Sequence, residues 1–296
     1  MTQLLRQLAI IGAFVVMFAA SARAADGELP PLTIDPGQPR LSGKFIWADL
    51  VTDDVPKARN FYAQLFGWQF WGVGAYSMAV NNDTAIGGMF HKPRPANDPK
   101  AKPRWFGYIS VGNVAKAQRA VTTAGGRVLA PAQNFPKRGE QAVFADPEGA
   151  IFGVMNSASG DPQDYLAEPG DWIWIQLLSR DAPKATQFYR AVAGYEVVEN
   201  TSANRLNDYV LTSKGYARAT VRTLATKRED VNPTWLPYVR VKSVSDTVAK
   251  AKELGGSVVI EPKPDVFQGG IAVIADPTGA AIGIMEWRPD LMKGAR

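Results

Sequence analysis

The stretch FADPEGAIFGVM, Phe144 to Met155, returns near the end of the chain as IADPTGAAIGIM, Ile274 to Met285. A strand, a four-residue turn and a second strand are written twice. In DPEG and DPTG, Asp takes the first turn position, Pro the second and Gly the fourth, the residues that a type I turn favours. Pro presets the backbone angle, and the Asp side chain can bond the backbone two residues on. Each copy therefore predicts a hairpin between the last two strands of a unit.

Working outward, the same spacing of 130 positions links Trp105 to Trp235, Tyr108 to Tyr238 and Gly125-Gly126 to Gly255-Gly256. Further upstream the spacing is 127, linking Trp47 to Trp174, Asp54 to Asp181 and Phe61-Tyr62 to Phe188-Tyr189. The difference is one loop of altered length between two copies of a domain. A chain of 296 residues is long enough for two such domains. The copies are placed at 44–157 and 171–288, joined by the polar linker 158–170, with an extension at 25–43 and a tail at 289–296.

In copy one, KFIWADLV reads as a strand, and DDVPKARNFYAQLFG as a helix with Pro in its first turn and Gly67 as its stop. Ala58, Phe61, Tyr62, Leu65 and Phe66 recur with helical spacing and predict one buried face. Three strands follow (GWQFWGV, AYSMAV, AIGGMF), and then the order repeats: RWFGYISV, a helix capped by Asn113, RVLAPA, EQAVFA and AIFGVMN. Copy two has the same plan. The fold class is α+β, built from four βαβββ modules.

Residues 1–24 are a candidate secretory signal peptide: Arg6, an apolar run from Leu8 to Ala20, and Ala22 and Ala24 spaced as in an A-x-A cleavage site. The run is short of the ~20 apolar residues a membrane span needs. Cleavage after Ala24 predicts a periplasmic or secreted protein that is not held in a membrane. It also removes two Arg and no acid, lowering the net charge of +5 by two. The densest basic groups, His91 to Pro95 and Pro99 to Arg104, sit in a Pro-rich loop, which reads as a solvated connection and not a nucleic-acid groove. Zero Cys excludes disulfides, thiolate nucleophiles and thiolate metal sites.

The D-x-x-x-A-x-x-F-Y element (Asp54 to Tyr62, Asp181 to Tyr189), the helix ending in GG and the DP-x-G-A turn resemble the vicinal oxygen chelate superfamily, the glyoxalase, bleomycin-resistance and extradiol-dioxygenase group. The resemblance covers both copies and is closest to two-domain glyoxalase-like proteins. It implies paired modules curling into half-open barrels around a cleft, with His, Glu or Gln metal ligands on the first and closing strands. Aligned on this chain, those positions are Trp47 and Trp174, Phe106 and Leu236, Gly153 and Gly283, and a region near Gly87-Gly88 and at Thr220. Indole, phenyl and glycine offer no lone pair to a cation. His91 is the only histidine, so no His-rich site can be assembled within one chain. An all-oxygen site from residues such as Asp49, Glu140 or Glu286 stays open, but the expectation is a cleft with neither metal nor other cofactor.

Strand alternation puts Asp49 in phase with Trp47, Tyr108 with Phe106, Gln176 with Trp174, and Tyr238 and Arg240 with Leu236. Trp47, Asp49, Phe106, Tyr108, Trp174, Gln176, Tyr238 and Arg240 thus define an aromatic concave surface with a few polar groups, suited to a small organic ligand. The same aromatics can equally fill the barrel as core. A binding protein is the first expectation, with aromatics stacking on the ligand and Arg240 or Asp49 fixing a polar end. The alternative is a lyase or isomerase in which Asp49 and Glu140 are the candidate catalytic carboxylates and Tyr108 or Tyr238 the proton donors. An interaction platform is a third class. Fusion of two copies allows a monomer by pairing within the chain, or a homodimer.

Overall fold

A computed structural model describes residues 28–73, 75–94, 102–201, 208–224 and 232–289. The expected leader, its cleavage site, most of the Pro-rich loop and the tail beyond residue 289 lie outside the described residues.

Two eight-stranded mixed sheets follow one plan. The first holds β1 (Phe45–Thr52), β2 (Gln69–Val73), β3 (Tyr76–Asn81), β4 (Thr84–His91), β5 (Arg104–Ser110), β6 (Arg127–Phe135), β7 (Gly139–Ala145) and β8 (Ile151–Ser157), in the order 2-3-4-1-5-8-7-6. The second holds β9 (Trp172–Ser179), β10 (Glu196–Glu199), β11 (Tyr209–Ser213), β12 (Tyr216–Thr223), β13 (Thr234–Val241), β14 (Ser257–Ile260), β15 (Ile271–Ala275) and β16 (Ala281–Glu286) in the matching order. Each module contributes four strands and one helix: α1 (Val55–Phe66), α2 (Val114–Thr123), α3 (Ala182–Ala193) and α4 (Val244–Glu253). Neither sheet closes into a barrel.

The helix signals work as chemistry predicts. The Asp54, Asn113 and Asp181 side chains accept from the backbone N–H three residues on, at 3.0, 2.7 and 3.1 Å, satisfying donors that a helix start leaves open. Gly67 and Gly194 end α1 and α3 in the left-handed conformation. Ala58, Phe61 and Tyr62 are buried, and Leu65 and Phe66 are half-buried against the same cluster.

That cluster belongs to neither copy alone. Copy one's α1 and β1 pack against copy two's α4, β15 and β16, while α2, β7 and β8 pack against α3, β9 and β12. The helix-bearing faces of the two sheets meet, and most of the core lies between the copies.

The repeated motifs are the contacts that hold this junction. Tyr189 Oη of α3 donates to Asp146 Oδ2 in copy one's DPEG turn at 3.0 Å and accepts from Trp235 Nε1 at 2.8 Å. In the mirrored place Tyr62 Oη accepts from Trp105 Nε1 at 2.8 Å, and burial together with the nearby Asp276 charge raises its phenol well above the ordinary range. The neighbouring Phe of each pair lies on the second glycine of the other copy's GG: a Cβ on Gly126 would come within 3.0 Å of the Phe188 ring, and one on Gly256 within 2.9 Å of the Phe61 ring. Phe-Tyr, GG and DP-x-G therefore meet twice across the junction, with the Tyr–Asp hydrogen bond seen at Tyr189 and Asp146 and the Trp–Tyr bond seen in both places.

Candidate functional site

Each sheet's other face carries the residues expected to line a site, and the two copies treat it differently. In copy one, β1 brings Trp47 and Asp49 beside Tyr108 and Phe106 of β5, with Gly88 of β4 next to Asp49. Asp49 accepts from Tyr76 Oη at 2.5 Å and from Trp47 Nε1 at 3.0 Å. Burial pushes its carboxyl pKa up, opposed by these bonds and by the Arg138 charge. The Arg138 guanidinium lies 4.2 Å over the Trp47 ring. Tyr108 is fully buried beside Asp49, its hydroxyl completing no hydrogen bond of good geometry; burial and the Asp49 charge hold its phenol well above the usual range. Such a phenol keeps its proton at neutral pH, which weakens it as an acid.

The N-terminal extension closes this face. Leu32 is buried against Trp47, Phe106 and Tyr108, and the Pro30 carbonyl accepts from Arg138 Nε at 2.7 Å. The extension is anchored by Leu41 N to Asp161 Oδ2 at 2.6 Å and by Gly37 N and Gln38 N to Ser159 O, both at 3.2 Å. Trp47, Asp49, Phe106 and Tyr108 come together as expected, but as filled core. Glu140 does not join them: it alternates with buried Gln141 and shares the opposite face with Ala142 and Phe144, which pack toward the helices. The alternation of β7 carried that information. Tyr76 and Arg138 complete the cluster and carry no distinguishing local signal; Arg138 sits in the short KRG turn.

In copy two, Gln176 and Trp174 of β9 lie beside Leu236 and Tyr238 of β13, and Gln176 pairs with Thr220 of β12. Thr220 Oγ1 accepts from Trp174 Nε1 at 2.9 Å, and Tyr238 Oη donates to Gln176 Oε1 at 3.3 Å. Burial pushes the Tyr238 phenol up to about 12, with Arg222 pulling the other way. This floor is buried, but Trp174, Ile173, Leu178, Phe267 and Ile271 around it are only half-buried. Phe267 and Gln268 at the rim both adopt left-handed backbone at φ +50° and +51°, a conformation that costs energy for residues with a Cβ and clusters at functional sites. Arg240 is engaged elsewhere than the expected polar anchor position, since its Nη1 donates to the Ala167 carbonyl of the linker.

The family's metal positions do not fit a metal here. A Cβ on Gly88 would overlap Tyr76 Oη, one on Gly153 would overlap the Tyr108 ring, and one on Gly283 the Tyr238 ring. Tyrosine rings occupy the volume that ligand side chains would need. The remaining positions are Trp47, Phe106, Trp174, Thr220 and Leu236, and only the threonine carries an oxygen donor. Among the described residues no three His, Cys, Asp or Glu converge on a point that could hold an ion. His91 is exposed at the end of β4.

Two tandem units of this topology define a glyoxalase-type fold. The chain belongs to the Glyoxalase/Bleomycin resistance protein/Dioxygenase superfamily, whose pattern it matches over residues 44–154 and 173–284. It is 32% identical over 250 residues to a protein of Mycobacterium tuberculosis (strain CDC 1551 / Oshkosh) named "Putative glyoxylase CFP32", covering 82% of this chain and 94% of that protein. It is equally 32% identical over 257 residues to "Anthracycline biosynthesis protein DauV" of Streptomyces sp. (strain C5), covering 82% and 92%. The Mn(II)-bound glyoxalase from Novosphingobium aromaticivorans shares the fold at a TM-score of 0.55 and 16% identity, over 83% of each chain.

Proposed function

We propose that this is an exported small-molecule-binding protein that works without a metal, its ligand a planar aromatic compound seated on the concave face of copy two. The observation that carries the reading is the contrast between the copies. Equivalent residues are sealed beneath Leu32 and Pro30 in copy one, whereas Trp174 and Phe267 stay half-buried around Gln176, Thr220 and Tyr238 in copy two. Half-exposed aromatic faces beside a few fixed polar groups are what a ring system stacks on. Likeness to a protein named for anthracycline biosynthesis supports a fused-ring ligand.

The test is a titration of the purified chain with an anthracycline and with a smaller anthraquinone, followed by Trp fluorescence and melting temperature. Saturable quenching is expected, with affinity at least tenfold weaker in Trp174→Ala. Absence of any response, or an unchanged affinity in that variant, refutes the reading. Export is tested by N-terminal sequencing of chain recovered from the periplasm, which should begin at Ala25.

A second reading, a metal-independent lyase or isomerase, draws on Asp49, its short bond from Tyr76 and the adjacent Arg138. It needs the extension to lift from copy one. Turnover that survives Asp49→Asn would eliminate it.

A further inference from the structure

The extension holds copy one's face through few atoms. Of residues 28–42 only Leu32 is buried, and Ile34, two positions on, is 92% exposed. Before Leu32 the chain is held by the bond from Arg138 Nε to the Pro30 carbonyl at 2.7 Å and by an exposed ion pair of Glu28 with Lys137 at 2.8 Å. After it the backbone is tied at Thr33, Gly37, Gln38 and Leu41, all to Ser159 or Asp161. Residues 28–32 are therefore a short arm with a fixed base and a single apolar plug.

Arg138 shows what the arm leaves unfinished. Its side chain is buried, its guanidinium lies on the Trp47 ring, and Asp49 reaches it through charge without a hydrogen bond. Pro30 satisfies Nε, but Nη2, buried beside it, has no hydrogen-bond partner among the described residues. A buried donor left unpaired costs stability. Nε and Nη2 share one edge of the guanidinium, and the two oxygens of a carboxylate match that edge in two-point geometry. The hairpin itself does not need this group. By the repeat spacing Gly139 corresponds to Gly269, both at positive φ, and Gln268 of copy two stands where Arg138 does.

We propose that Arg138 anchors a second binding site, for a small apolar carboxylate, which the extension occupies as an internal pseudo-ligand. Leu32 fills the place of the apolar tail against Trp47, Phe106 and Tyr108, and the Pro30 carbonyl fills the place of one carboxylate oxygen. The ligand displaces residues 28–32, and its second oxygen accepts from Nη2. Asp49 leaves room for this anion, because its own carboxylate is already engaged by Tyr76 and Trp47. A ligand that competes with a segment of the chain is weakened by the fraction of molecules in which that segment is released, so the extension sets the concentration at which the site responds. The proposal goes beyond the preceding one, since it concerns the other copy and another ligand chemistry.

The experiment is calorimetric titration of the full chain with 4-methylpentanoate, 3-phenylpropanoate and the neutral 4-methylpentanamide, with amide hydrogen exchange followed at residues 28–33. The carboxylates should bind at least tenfold more tightly than the amide. Saturation should speed exchange at Leu32 and Thr33, the sign of a released arm. Leu32→Ala should tighten carboxylate binding at least threefold, because it loosens the competitor; a merely structural leucine would weaken binding or leave it unchanged. Arg138→Lys keeps the charge but loses the paired donors, and should weaken binding at least fivefold. No carboxylate binding in either the wild type or Leu32→Ala, equal binding of the amide, unchanged exchange of the arm, or full affinity in Arg138→Lys would overturn the proposal. Because the probes carry no fused rings and the exchange is read on copy one's arm, either reading can fail while the other stands.

Discussion

Asp146 divides its two carboxylate oxygens between two tasks. Oδ1 accepts from Glu148 N at 3.0 Å and Ala150 N at 2.8 Å, which shapes the turn, while Oδ2 receives the Tyr189 hydroxyl from the other copy. Tyr189→Phe removes a hydroxyl that serves both Asp146 and Trp235, leaving buried polar atoms unpaired. A loss of about 1–3 kcal/mol in denaturant unfolding is expected. Burial, the largest influence, raises the Asp146 pKa. A raised folded pKa contributes stability that is complete below the unfolded value and lost as pH rises through the folded one. The stability of wild type relative to Asp146→Asn should therefore be greater at pH 4 than at pH 7. The turn was legible in DPEG because turn chemistry is local, and the helical spacing around Tyr189 was legible for the same reason. Their meeting was not, because neither pattern records what lies across a domain boundary. Asp49 has the same lesson: alternation placed it beside Trp47, yet Tyr76 and Arg138 arrive from other strands and turns with nothing local to mark them.

At the level of strands, glycine and tyrosine alternate as partners. Tyr108 of β5 lies over Gly153 of β8, and Tyr238 of β13 over Gly283 of β16. Gly153→Ala should cost about 1–3 kcal/mol by overpacking, read from thermal or urea unfolding. Combined with Tyr108→Ala the two losses should fall short of additive, because the second change removes the clash that the first creates. The succession of strands and helices was readable from periodicity, and the helix ends at Asn113 and Gly67 from capping residues, whereas the order of strands within each sheet was not read from the sequence. Whether the face carrying Trp47 and Asp49 is open or filled was not readable either, since the answer depends on the extension, whose Leu32 and Pro30 stand in a stretch without periodic pattern. That face is a sealed core in copy one, whereas in copy two Trp174, Phe267 and Ile271 stay half-buried around Gln176 and Tyr238.

For the whole molecule, the main core lies where the two sheets meet, so neither half has a complete interior alone. A chain ending after the linker, residues 28–170, would expose the apolar faces of α1 and α2 to water. Light scattering should find it dimeric or aggregated, whereas the intact chain should be monomeric and unfold in one transition. The tandem plan was visible in the two spacings of the repeat. That the halves are held together through their own repeated motifs emerges only in three dimensions.

The tyrosines standing on Gly88, Gly153 and Gly283 also constrain which single substitutions this chain can accept. A carboxylate or imidazole placed at one of those positions by a single substitution would collide with a ring before it could meet an ion. Removing the ring first would hollow the sheet without any gain. Each single change is therefore worse than the present pairing, and a side chain at those glycines requires a paired change in the tyrosine above it.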